Sequence, residues 1–247
     1  IVSAWCREDG YCLGQKSVAE KSNEITAIPE VLDKINIKNQ IVTIDAMGTQ
    51  TAIAEKIRSK RADYVLALKG NQTSLHEDVC LYFEDAQVLQ EICDKGNYRR
   101  TTEKAHGQIE IREYFQTDDI HWLHQRSKWK GLKTVIMERK TIKRENGELQ
   151  EYRYFISSLS PDITLASRAV RGHWAVESMH WHLDVTFKED ANTTLDKLSA
   201  QNLNIIRKWT LSILKLLEIN GKKMSLKRKR FNIGLCPMRL LEDILKL

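Results

Sequence analysis

Two short apolar runs, Ile41-Val-Thr-Ile44 and Tyr64-Val-Leu-Ala-Leu68, constrain the fold of this chain more than any other feature. An apolar run of this length without alternation is the pattern of a strand buried on both faces. The intervening stretch, about 49–60, is helical in pattern. Two strands joined through a helix pair in parallel with a right-handed crossover, so 40–72 is expected to be a βαβ unit and the fold class α/β. Asp45 ends the first strand, and Lys69-Gly-Asn-Gln72 follows the second. Ligands of open α/β sheets sit at the carboxyl ends of strands. Asp45 is therefore a candidate for chemistry, with a helix N-cap as the alternative. Lys69 is a candidate anion contact, and equally an ordinary surface residue.

The flanking sequence fills in the layout. Residues 1–6 and 11–18 read as strands around a Glu8-Asp9-Gly10 turn. A helix lies within 23–36, with Ile28, Val31, Leu32 and Ile35 on one face and Pro29 in its first turn or at a kink. Ser74-x-x-Glu77 has capping-box spacing and would start a helix over about 75–91. From about 97 the texture turns to strands, and Asn146-Gly147 between 133–143 and 149–159 is a hairpin signal. An amphipathic helix is expected over 201–219, with Leu203, Ile206, Leu211, Leu214 and Leu217 on its apolar face. The expected organisation is 1–95 and 161–221 as one core, 96–160 as a β-rich insertion, and 222–247 as a basic C-terminal segment.

Composition sets broad limits. A chain of 247 residues that is 42% hydrophobic and 29% charged is globular. Its five cysteines (Cys6, Cys12, Cys80, Cys93, Cys236) form no Cys-x-x-Cys pair, which argues against a zinc site or a disulfide framework. No apolar run reaches eighteen residues and no signal-peptide pattern is present, so a soluble, cytoplasmic protein is expected. The net charge of +6 favours anionic partners. The stretch Lys222-Lys-Met-Ser-Leu-Lys-Arg-Lys-Arg230 concentrates that charge. It reads as a solvated tail or as a set of phosphate contacts through Lys222, Lys223, Lys227, Arg228, Lys229 and Arg230. The opening Ile1-Val-Ser-Ala-Trp5 is strand-like, and the polypeptide is expected to continue upstream.

The stretch from Arg171 to Glu189 carries the densest chemistry. Read as one helix, it places His173, Glu177, His180 and Asp184 within an arc of about 60°. Val176, Met179, Leu183 and Phe187 line one flank of that stripe, and Trp174 and Trp181 the other. A polar seam between apolar flanks is expected to be partly buried, where a carboxylate needs a cation, a partner base or a shifted pKa. A bound metal and an internal hydrogen-bond network are both open readings.

Four motifs in order, Thr43-Ile-Asp-Ala-Met-Gly48, Leu68-Lys-Gly-Asn-Gln72, Glu103-Lys-Ala-His-Gly107 and His173-Trp-x-x-Glu177-x-x-His-Trp-x-Leu-Asp-Val-x-Phe-x-Glu-Asp190, resemble the bacterial H-repeat-associated insertion-sequence transposases. The resemblance runs over nearly the whole chain. It implies an RNase H-like mixed sheet flanked by helices, with a β-rich insertion before the last catalytic helix. It further implies a DDE site in which three carboxylates hold two divalent ions, Mg²⁺ or Mn²⁺. By motif match Asp45 is the second acid and Glu177 the third; the first has no counterpart in these residues and is expected upstream. Where the broader group of transposases with a β insertion carries Tyr, Arg and Lys around the last Glu, this chain has Val170, His173 and Asp184. The match is therefore to the narrower H-repeat type, with His173, His180 and Asp184 as possible supporting residues.

The chemistry suits the residue types. Two ions about 3.5–4 Å apart activate a water or 3′-hydroxyl and stabilise the leaving oxygen of a phosphodiester, and hard cations take oxygen ligands. Asp45 and Glu177 are then expected within roughly 8 Å of each other. Lys69, Asn71, Arg168 and Arg171 are expected DNA contacts. The implied partners are DNA and, on DNA, a second copy of the protein, with no membrane. Two other readings stand beside this one. A carboxylate di-iron protein would use Glu177-x-x-His180 and Glu103-x-x-His106. An inactive transposase remnant would bind DNA or protein and catalyse nothing.

Overall fold

The computed structural model describes residues 1–18, 24–105, 108–144, 147–219 and 224–235. In chain order the elements are β1 (Val2–Cys6), β2 (Tyr11–Lys16), α1 (Glu24–Lys34), β3 (Ile41–Ile44), α2 (Thr51–Ser59) and β4 (Asp63–Leu68). Then come α3 (Thr73–Glu84), α4 (Ala86–Asp94), β5 (Tyr98–Ala105), β6 (Gln108–Thr117), β7 (Thr134–Arg144) and β8 (Gly147–Ser157). The last are α5 (Ile163–His173), α6 (Ala175–Trp181), α7 (Lys197–Leu216) and α8 (Leu226–Leu235). They form two compact units, Lys21–His173 and Ile1–Glu20 with Trp174–Leu247.

The unit Lys21–His173 is built on a six-stranded mixed sheet of order β3-β4-β8-β7-β6-β5. β3 and β4 run parallel, from Ile41 opposite Asp63 to Ile44 opposite Leu66, as the βαβ reading requires. β8 pairs antiparallel with β4, so the strands of the β-rich stretch continue this same sheet. Leu32, Ile53, Ile57, Leu75 and Phe83 of the first helices pack on one face with Tyr64, Leu66 and Leu68. Ala166 and Val170 of α5 pack on the other with Val65, Tyr114, Ile136 and Phe155. Of the two apolar runs, β4 is the one fully covered on both faces, as are β7 and β8 beside it. β3 lies at the edge and its residues are only half-buried, against the expectation of a fully buried, central strand. The apolar run alone does not separate the two cases, because a parallel edge strand packed by helices needs the same side chains.

The expected capping box is not formed. α3 begins at Thr73, one residue before Ser74, and the Ser74 hydroxyl accepts a hydrogen bond from Gln125 Nε2. The helix expected over 75–91 breaks at Asp85, whose carboxylate accepts the Gln87 N–H at 2.8 Å and starts α4. An Asx cap offers the backbone an alternative to continuing the helix. The hairpin tip Asn146 lies outside the described residues, but β7 and β8 pair through to Arg144 opposite Gly147. Where the sheet passes beyond its apolar core, it carries charge. Glu138 is fully buried, with Arg112 Nε at 3.5 Å and Arg153 Nη1 at 3.4 Å. Arg112 reaches Glu110 at 2.7 Å.

In the other unit β1 and β2 form the expected antiparallel hairpin, turned at Gly10 with φ +69°. Met179 and Leu183 pack with Leu211 of α7 and with Trp5, Val176, Phe187 and Leu226. Leu211, Leu214 and Leu217 are buried as expected, whereas Leu203 and Ile206 face outward. Lys208 takes up part of that inner face. It is 2% exposed, and its ammonium donates to Ser3 Oγ at 2.6 Å and Gln15 Oε1 at 2.7 Å. Two neutral oxygens satisfy this buried amine, and burial lowers its pKa. No described helix is long and apolar enough to cross a membrane.

Candidate active site

Asp45 sits just past the carboxyl end of β3, exposed, at the start of a tight turn. Its Oδ1 accepts the Gly48 N–H at 3.1 Å, and its carbonyl lies 3.0 Å from the Thr49 hydroxyl. The carboxylate thus caps its own turn and leaves the following helix alone. α2 begins after Gln50 with no side-chain cap. Oδ2 of Asp45 has no protein partner among the described residues. One oxygen held by the backbone and one open to solvent is the arrangement of a carboxylate available to a cation.

The residues behind the turn fix its shape. Thr49 is fully buried and its hydroxyl also lies 2.6 Å from the Ala67 carbonyl of β4. The Asn71 amide donates to the Ala46 carbonyl, and Gln72 Nε2 donates to the Thr49 carbonyl at 3.0 Å. Thr49 and Gln72 were not among the residues singled out from sequence. The available signal was two adjacent amide side chains directly after a strand whose neighbour ends in a turn. Gly48 is tightly enclosed, since a Cβ there would fall inside contact distance of Ile44 Cγ2 and Ile28 Cδ1. Gly48→Ala should therefore destabilise the protein by about 1–3 kcal/mol through overpacking. Thermal denaturation checks this, and an unchanged Tm would mean that the turn relaxes freely.

His173 and Arg171 close this side of the unit. His173, the last residue of α5, places Nδ1 3.2 Å from the Thr43 hydroxyl, two residues before Asp45. Arg171 Nη2 contacts the Glu103 carboxylate at 3.1 Å, which joins α5 to β5. The first two motifs, Glu103 of the third and His173 of the fourth contribute to this region, while His106 and Gly107 lie outside the described residues. Lys69 and Arg168 are exposed.

The stretch from Arg171 to Glu189 is not one straight helix. α5 ends at His173, α6 starts at Ala175, and His182–Thr186 form a π-helical turn. A π turn shifts the register, so the arc computed for a continuous α-helix does not hold through Asp184. The polar seam is not buried either, because Glu177, His180 and Asp184 are exposed residues. Val176, Met179, Leu183 and Phe187 turn inward, while Trp181 is 56% exposed and no second apolar wall forms. Glu177 has no ion-pair partner among the described residues. For His180, desolvation and then the nearby Lys208 ammonium lower the pKa below the usual histidine range.

The basic segment is also different from a solvated tail. Residues 226–235 form α8. Lys229 is buried and donates to the Leu214 carbonyl at 2.7 Å, which ties α8 to α7. Its aliphatic stem and a carbonyl acceptor make that burial affordable for a cation. Arg230 donates to the Thr186 carbonyl and stacks over Phe187 at 4.9 Å. Lys227 and Arg228 point to solvent, and Lys222 and Lys223 lie outside the described residues. No group of three or more His, Cys, Asp or Glu side chains is placed to hold a metal ion among the described residues.

Comparison with known proteins adds the family. The model of the transposase DDE domain matches residues 2–213. The chain is 38% identical over 241 residues to "Putative transposase YncI" of Escherichia coli O157:H7, covering 95% of this chain and 60% of that protein. It is 37% identical over 221 residues to "H repeat-associated putative transposase YhhI" of Escherichia coli K12, covering 87% and 57%. A protein in the dhlA 3′ region of Xanthobacter autotrophicus is 42% identical over 163 residues, covering 66% and 54%. The chain thus spans 54–60% of the length of these relatives. With a mixed sheet flanked by helices and the family match over most of its length, the chain belongs to the RNase H-like DDE transposases, alongside the H-repeat-associated members.

Proposed function

We propose that this protein catalyses metal-dependent DNA strand cleavage and strand transfer in the movement of an insertion sequence. Asp45 and Glu177 supply the second and third acids of the DDE set. The observation that carries the reading is the family match over residues 2–213 together with Asp45 at a strand end, one carboxylate oxygen fixed by the Gly48 amide and the other open. The first acid of the family pattern has no match within residues 1–247 and is assigned to polypeptide outside them. The donor set suits a hard divalent ion, Mg²⁺ or Mn²⁺, because exposed carboxylate oxygens are its preferred ligands. When bound, two such ions lower the barrier to phosphodiester attack by activating the nucleophile and neutralising the leaving oxygen. In the intact enzyme Asp45 and Glu177 would each offer a carboxylate to those ions. His173 steadies the strand that leads into Asp45, and His180 and Asp184 flank Glu177 along the chain. Lys69, Arg168, Lys222, Lys223, Lys227 and Arg228 hold the DNA backbone, and the protein works on element ends as a dimer.

The competing reading is a binding module without catalysis. Residues 1–247 are expected to bind duplex DNA independently of sequence, with log K falling by about 0.9 per neutralised phosphate per log unit of salt. A salt titration beside a cleavage assay in Mg²⁺ and Mn²⁺ separates the readings. Cleavage by the intact protein supports the enzyme. Salt-sensitive binding with no cleavage by the intact protein supports the module, and tight binding that ignores salt defeats the electrostatic assignment.

A further inference from the structure

We propose that Asn71 and Gln72 form a positioning latch that sets the direction of the Asp45 carboxylate. The inference rests on the catalytic reading of Asp45 for its function, but the latch itself is a matter of backbone geometry.

The carboxylate is aimed by its turn, because Oδ1 is tied to the Gly48 N–H. That turn is short and follows the edge strand of the sheet, with Asp45 and Met47 exposed and Ala46, Gly48 and Thr49 buried, so its shape depends on what holds the buried side. Three contacts restrain it, all from the β4 side. Asn71 reaches the Ala46 carbonyl, Gln72 reaches the Thr49 carbonyl, and the Thr49 hydroxyl reaches the Ala67 carbonyl. Asn71 and Gln72 lie in the 3₁₀ turn Gly70–Gln72, one residue past the end of β4. The β4 backbone therefore serves as the rigid reference for the catalytic turn. The Ala46 carbonyl also accepts the Thr49 N–H at 3.1 Å, so the Asn71 bond stabilises the same peptide that closes the turn. The opposite wall is Gly48 against Ile44 and Ile28, which blocks collapse in that direction. A metal ligand placed this way meets its ion without reorganising, and outer partners of this kind typically change metal affinity or activity 10–100-fold.

Asn71 would then be a positioning residue, with its amide engaged by protein and not by a phosphate. The test uses the intact protein with Asn71→Ala and Asn71→Asp, and Gln72→Ala as a second variant on the same latch. Asn71 is an exposed residue, so folding is expected to persist. Three quantities are measured: amide hydrogen exchange at Gly48 and Thr49 without metal or DNA, the Mg²⁺ concentration for half-maximal cleavage, and DNA affinity without divalent ions. The latch predicts roughly 5–10-fold faster exchange at both amides, the loss of one net hydrogen bond. It predicts a Mg²⁺ requirement raised about 10-fold or more and unchanged DNA affinity. Unchanged exchange would overturn the latch. Faster exchange with an unaltered Mg²⁺ requirement would overturn its positioning role. Weaker DNA binding with unaltered exchange would make Asn71 a DNA contact instead. If the wild-type protein does not cleave at all while exchange still accelerates, the catalytic reading fails and the latch remains as a structural device.

Discussion

Replacing Asp45 by Asn in the intact protein is expected to lower metal-dependent strand cleavage by more than about 100-fold while leaving the fold in place. Outer partners of metal ligands already cost 10–100-fold, and a direct ligand should cost more. The substitution keeps the volume and keeps an Oδ1 acceptor for the Gly48 N–H, so the turn retains its one carboxylate-to-backbone bond. What it removes is the charge on an exposed side chain that has no cation partner among the described residues. Glu177→Gln should behave in the same way. Glu177 is exposed on α6 and its neighbour Met179 is what anchors that helix. The measurement is plasmid cleavage across a Mg²⁺ series, with circular dichroism to verify folding. Cleavage retained at saturating Mg²⁺ would place the active site elsewhere.

The largest effect on stability is expected at Arg112. Its side chain is 8% exposed and faces Glu138, which is not exposed at all. Arg112→Leu removes a buried cation and leaves the Glu138 carboxylate, beside the Tyr114 hydroxyl, with Arg153 as its cation, whose side chain is 30% exposed. Breaking a buried pair from one side costs about 3–5 kcal/mol, because the remaining charge stays desolvated. For a chain of this size that corresponds to a fall in Tm of roughly 6–20 °C. Removing the carboxylate as well, in Arg112→Leu with Glu138→Leu, should restore most of the loss, since well-packed apolar residues replace buried ion pairs at little cost. Thermal and urea denaturation of the two variants test this. A double variant as unstable as the single one would show that the cost comes from packing and not from charge.

These two residues also mark the division between what local pattern and what tertiary context decide. The βαβ unit, the hairpin at Glu8-Asp9-Gly10 and the position of Asp45 at a strand end were all readable, because each depends on residues adjacent in the chain. Period-2 and period-3.6 patterns report which neighbours share a face, and strand ends follow from where the pattern stops. The family motifs pointed to Asp45 and Glu177 as candidate acids.

Only the folded chain decided which apolar run is covered twice. β3 and β4 look alike in sequence, yet β4 gains β8 as a neighbour and β3 lies at the edge of that sheet. The break at Asp85 follows from a competing side-chain bond, and the π turn at His182–Thr186 is a register shift. The same holds for Lys229, a basic residue in a basic run that turns inward because the Leu214 carbonyl is within reach. The Asn71 and Gln72 bonds to the Asp45 turn span more than twenty residues of sequence. Local chemistry determined which elements this chain forms and where its acids fall along them. Which surfaces are buried, and which polar groups find partners, was set by long-range packing, because burial and hydrogen-bond satisfaction belong to the neighbours that a residue acquires in space.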